Sequence, residues 1–168
     1  MTHQDSPRAA TDQEDGSRVG TARSILDELP YLVLATAGAD GAPWATPVYF
    51  ATSDCTEFFW VSYPDALHSR NLEQRAEVGI VVFDSRVPLG TGQGVYMRAV
   101  AARVPDHEVA AGMAVFSAAS LADGGRAWTP DDVQEPRPLR LYRARAEQQW
   151  VLETDRDRRV PVVAGRAG

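Results

Sequence analysis

The chain has 168 residues, 44% of them hydrophobic and 24% charged, the balance of one folded globular domain and too short for two ordinary ones. A formal net charge of −6 argues against a general nucleic-acid surface, which needs basic character. All 17 cations are arginine, so Schiff-base chemistry, a P-loop and a lysine clamp on a phosphate are excluded.

In chain order, the polar stretch "MTHQDSPRAATDQEDGSRVG", residues 1–20, has no apolar period and reads as a disordered leader ahead of a folded domain over 21–168. It also lacks an apolar export segment, and no run approaches the ~20 residues that cross a bilayer. No membrane association is expected, and the cytoplasm is the expected compartment. "TARSILDELP" predicts a short helix with Ile25, Leu26 and Leu29 on one side, stopped by Pro30. The period then changes to two: "YLVLATAG" and "ADGAPWATPVYFAT" are strands joined across Asp40-Gly41, a pair that tolerates the positive φ of hairpin turns.

After the turn "TSDCT" comes an aromatic strand, "EFFWVSY", and then a short helix in "PDALHSRNLEQRAE", with Leu67, Asn71 and Leu72 at helical spacing. Phe58, Phe59 and Trp60, with Tyr49 and Phe50 before them, suit either core packing or stacking on a flat ligand. Cys55 is the single cysteine and reads as a turn residue, because a nucleophilic role would need a base that the sequence does not place. The three histidines, His3, His68 and His107, are too scattered to form a zinc-type ligand set, and no metal site is expected.

"VGIVVFDS" is a buried strand, and "GVYMRAVAARV" is another that alternates Val95, Met97, Ala99 and Ala101 against a mixed outer face. "DHEVAAGMAVFSAASLA" is a helix capped by Asp106, ended by Gly124-Gly125, and lined with small residues that allow close packing on the sheet or on a partner subunit. "LRLYRARAEQQWVLE" and "RVPVVA" complete six or seven mostly antiparallel strands with about three short helices, a mainly β fold that closes its own edges as a small barrel. The glycines of "GTGQGVYM" invite a phosphate-loop reading, but they open a strand where a dinucleotide fingerprint would open a helix.

The order and spacing of "LATAGADGAPWATPVYF", "FWVSYPDALHSRNLEQRAEVGIVVFDS", "GQGVYMRAVAARV" and "LRLYRARAEQQWVLE" resemble the pyridoxamine 5′-phosphate oxidase-like split β-barrels, from about Ser24 to Val163. The resemblance implies a cytoplasmic flavoprotein oxidoreductase, a homodimer that binds FMN, or in some branches the deazaflavin F420, at the subunit interface. It places Thr46, Pro47 and Val48 along the cofactor ring and ribityl chain, with Trp60, Val61 and Ser62 beside them. His68, Ser69, Arg70 and Asn71 would hold the phosphate, Gln93 and Gly94 would approach the ring, and Trp150 would close the site from the partner.

Two departures fall in the phosphate pocket: His68 stands where the family commonly has lysine, and Thr46 where the pyridoxamine phosphate oxidases have arginine. Arg70 and a protonated His68, helped by Ser62, Ser69 and the helix N-terminus, could replace them; alternatively His68 is only a surface residue. Neither the arginine nor the histidine that those oxidases use on their substrate has a convincing counterpart, since Arg156, Arg158 and Arg159 read equally as a solvated charge run. Vitamin B6 oxidation is not expected, and no catalytic side chain is assigned. Two readings follow: hydride transfer between FMN or F420 and an unknown small molecule, or a non-catalytic split barrel that binds a small molecule or heme.

Overall fold

The computed structural model describes residues 7–153 and 158–162. Helix α1 (Pro7–Glu28) leads into the hairpin β1 (Tyr31–Ala37) and β2 (Pro43–Tyr49), then β3 (Glu57–Ser62) and helix α2 (Leu67–Gln74). Strands β4 (Glu77–Phe83) and β5 (Gly94–Arg103), helix α3 (Val109–Ala122), and strands β6 (Arg140–Glu153) and β7 (Arg158–Pro161) complete the chain, with short 3₁₀ turns at Asp106–Glu108 and Pro130–Val133.

The strands form one antiparallel sheet in the order β2-β1-β4-β5-β6-β3, with β7 added to β6. The sheet curls until the chain just after β2 meets β3 at one bridge, where Ala51 and Phe59 exchange N–H···O bonds of 2.9 and 2.8 Å. Elsewhere the barrel stays split between β2 and β3. The β1–β2 turn falls at the expected pair, with Gly41 at φ +84° and the Asp40 carboxylate accepting from the Ala42 N–H.

Strand alternation divides the apolar residues into two cores. Leu32, Leu34, Val48, Phe58, Trp60, Ile80, Val82, Val95 and Met97 fill the barrel, plugged by Leu26 of α1 and Leu72 of α2. Phe59 and Leu141, on the opposite face of β3 and β6, pack with Val109, Met113 and Phe116 of α3. Gly112 makes that seating possible, since a Cβ there would lie 2.7 Å from the Phe59 ring and 2.9 Å from Leu141.

Helix α1 extends back to Pro7, so within the stretch 1–20 expected as a disordered leader residues 7–20 are helical, while residues 1–6 lie outside the described residues. Ion pairs of Arg18 with Asp15 (2.8 Å) and Glu14 (3.1 Å) support the polar turns, a signal invisible to an apolar period, and proline is preorganised for a helix's first turn. Asp106 opens a 3₁₀ turn ahead of α3 and makes no side-chain cap bond.

The outer face of β2-β1-β4-β5 is largely apolar, and apart from α3 at Tyr49 no element among the described residues covers its β2-β1-β4 part. Tyr31 (59%), Phe83 (48%) and Val100 (40%) stand out on it, with Ala35, Ala45 and Pro47 exposed between them.

Candidate functional site

A cavity of about 700 Å³ opens between the splayed strands β2 and β3, α2 and the C-terminal half of α3. β2 contributes Thr46 to Tyr49 in succession, because an edge strand paired with β1 on one side only leaves its other edge, and side chains of both faces, open to the seam. β3 adds Val61 and Ser62 at the end where it parts from the barrel, and α2 adds His68 from its first turn.

Ser62 Oγ and His68 Nε2 share a 2.8 Å hydrogen bond whose proton follows the imidazole tautomer. His68 is buried, which rules out the surface-residue reading, and burial pushes its pKa down. Burial therefore favours the neutral imidazole, the reverse of the imidazolium that the phosphate reading requires. Thr46 Oγ1 is buried in the cavity wall without a hydrogen-bond partner, and Ser69 Oγ is likewise buried and unpartnered on α2.

A second group of wall residues comes from α3 and the loop after it: Phe116, Ser120, Asp123, Gly125, Trp128 and Leu139. Tyr49 joins them to β2, since its hydroxyl donates to Asp123 Oδ2 at 3.0 Å. Burial, and then this hydrogen bond, pushes the Tyr49 pKa up to about 12. Tyr31, Tyr49, Phe116 and Trp128 meet edge to face in a row, with ring centroids 6.0, 5.5 and 5.5 Å apart.

Of the residues expected at a cofactor, Thr46, Pro47, Val48, Val61, Ser62 and His68 surround this one volume. Trp60 does not: its side chain is fully buried in the barrel and stacked on Tyr142 at 5.8 Å. Phe50 and Phe58 are also barrel core, so the packing reading holds for most of the aromatic cluster, with Tyr49 on the cavity as the exception. Asn71 is buried and donates from Nδ2 to Thr36 Oγ1 at 3.0 Å, tying α2 to β1. Arg70 is exposed and lies outside the cavity lining.

Gln93 and Gly94 are at the start of β5, where Gln93 borders a separate hollow with Leu29 and Asp84. Trp150 is on β6, paired with Tyr96 and lying under the Arg98 guanidinium at 5.9 Å. Within one chain, none of the three reaches the cavity. Arg156 lies outside the described residues; Arg159 packs over the Tyr96 ring at 4.7 Å, on the outer side of the sheet, and is no free charge run.

Cys55 takes a turn conformation with φ 59° and borders a second cavity of about 510 Å³, beside Arg23. The sequence reading missed the α3 side of the main cavity altogether. Its one available signal was the Gly124-Gly125 stop just before Trp128, which returns the chain toward the barrel.

An antiparallel barrel split along one seam, with a cavity at that seam, defines a split-barrel fold. A sequence profile of the pyridoxamine 5′-phosphate oxidase family matches residues 20–152, and the chain belongs to that family. No curated protein sequence matches it.

Among solved structures, the chain is similar to the heme storage protein HutZ from Vibrio cholerae, at 24% identity over 79% of this chain and 92% of that one, with a TM-score of 0.63. It is also similar to a heme-binding protein from Mycobacterium smegmatis, at 20% identity over 83% of this chain and 55% of that one (TM-score 0.66). An F420 reductase matches at 17% identity over 76% of this chain and 94% of that one (TM-score 0.57). At such identities these likenesses establish the fold. Among the described residues no helix is long and apolar enough to cross a membrane.

Proposed function

We propose that the chain is an oxidoreductase that binds a flavin-type cofactor, FMN or alternatively F420, in the cavity between β2, β3 and α2. The observation that carries this reading is the convergence of Thr46, Pro47, Val48, Val61, Ser62 and His68 on one volume of about 700 Å³. The residues present fit such a group. Val48, Val61, Phe116 and Leu139 offer apolar walls to a flat ring, and the partnerless Thr46 Oγ1 offers it a hydrogen bond.

When bound, the ring supplies the hydride-accepting or hydride-donating centre. The chain's own residues orient it, exclude water and bind the phosphate through Ser62, Ser69, the first turn of α2 and the nearby exposed Arg70. A homodimer is part of the proposal, supported by the largely uncovered apolar face of β2-β1-β4, a surface suited to a second copy that would add its own Gln93 and Trp150 to the site. The substrate we infer is not a B6 vitamer, because Arg158 and Arg159 do not line the cavity.

Titration of the purified protein with FMN and F420, followed by visible absorption, tests the reading. Micromolar binding of one cofactor is the expected result, and failure of both overturns it. Sedimentation should give a dimer; a clean monomer would remove the second wall of the site. A heme- or small-molecule-binding role is the second reading, favoured by one observation: among the described residues no arginine lines the cavity. A Soret band on heme titration, with no FMN or F420 binding, would establish it instead.

A further inference from the structure

We propose that the α3 side of the cavity recognises a small organic cation, a substituted ammonium group, as the charged part of the substrate. This rests on the cavity being the ligand site but does not depend on which cofactor it takes. Asp123 is the one formally charged residue among the lining residues, and it forms no ion pair among the described residues; its hydrogen-bond donor is the neutral Tyr49 hydroxyl. It is also the C-terminal cap of the 14-residue helix α3, whose last turn carries no basic residue. The negative end of the helix dipole and the carboxylate therefore add at one place.

The surrounding surface is aromatic. Tyr31, Tyr49, Phe116 and Trp128 form a continuous edge-to-face row along the same wall, and aromatic faces beside a carboxylate are the chemistry that holds an alkylated ammonium better than its neutral isostere. The molecule already uses this attraction once: the Arg126 guanidinium lies 3.6 Å from the Trp128 ring centroid. That arginine does not line the cavity, and its charge is matched by Asp132 at 3.1 Å, which leaves Asp123 uncompensated. Ser120 and Gly125 complete this wall without adding a positive charge.

Three probes of one shape separate charge from fit: choline, the neutral 3,3-dimethyl-1-butanol and the anionic 3,3-dimethylbutanoate. Their affinities are measured by calorimetry on the full chain, with and without saturating FMN. Choline should bind about tenfold or more tightly than the alcohol, and the anion most weakly. Asp123→Asn keeps the shape and should shrink the choline preference to about threefold or less, with a weaker dependence on added salt. Trp128→Leu should weaken choline and the alcohol unequally, choline more.

A choline affinity no better than that of the alcohol overturns the proposal, as does a preference that survives Asp123→Asn, or no choline binding at millimolar concentration. Failure of FMN and F420 with the cation preference intact would remove the cofactor reading alone. Cofactor binding without the preference would remove this one alone.

Discussion

The two sides of the cavity use opposite ends of two helices. At α2 the chain presents its N-terminal turn, with His68, Ser62 and the unpartnered Thr46 and Ser69 hydroxyls, a set of donors suited to an anion. At α3 it presents its C-terminal end, with Asp123 and a row of aromatic rings, a set suited to a cation. Among the described residues no arginine lines either side, and Arg70 on α2 stands exposed outside the lining. Arg140, the register partner of Ser62, is buried, but its guanidinium is paired with Glu135 and bonds the carbonyls of Arg137 and Leu139. The contrast teaches that helix orientation and neutral donors can polarise a pocket whose described lining contains no arginine.

The largest predicted effect tests whether the α3 side is a separable wall. Phe116 is buried between Tyr49 and Trp128, so Phe116→Ala removes an inner ring of the row and leaves a cavity under α3. A loss of ~3–5 kcal/mol in urea unfolding is expected. Any native protein that remains should keep its α2-side hydrogen bond, visible in the His68 imidazole NMR signals.

Gly112→Ala comes next. Its Cβ would meet the buried Phe59 ring at 2.7 Å, and overpacking should cost ~1–3 kcal/mol and push α3 outward. A neutral unfolding midpoint would show that α3 is seated more loosely than its contacts indicate.

On the α2 side, Arg70→Ala should weaken FMN about tenfold and leave riboflavin, which lacks the phosphate, nearly unchanged. Equal losses for the two ligands would move the phosphate away from α2.

The smallest effect is a pH slope. Because burial depresses the pKa of His68, its contribution to stability is present above the unfolded value, near 6.5, and is lost as pH falls through the folded value. Thermal unfolding should therefore show an acid-side decline that His68→Gln reduces. An unchanged slope would mean that another group carries it.

Much of the architecture was legible from alternation alone. On β5, Val95, Met97, Ala99 and Ala101 all point inward as their period of two required, and Asp40-Gly41 turns the first hairpin. Half of the cavity was legible too, but through resemblance: Thr46 to Val48, Val61, Ser62 and His68 come together, whereas Trp60 goes to the core and Gln93, Gly94 and Trp150 lie elsewhere on the chain. Trp60 could not be separated from Val61 in advance, because neighbours on a strand face opposite ways and the barrel decides which way is in. The polar turns of α1 were missed because ion pairs, and not an apolar stripe, support them.

The α3 side was not legible for a different reason. Its helix is apolar nearly all round, so no face of it could be assigned to core or cavity, and its small residues were read only as packing. What the sequence by itself determined is the set of strands, their inward and outward faces and the absence of lysine from any site, because each follows from local stereochemistry or composition. Only the tertiary structure decided that Asp123 meets the Tyr49 hydroxyl across 74 positions of chain, and that no arginine among the described residues lines the cavity. Pairings between distant segments depend on how the sheet curls and where Gly112 lets α3 settle, and no local pattern encodes either.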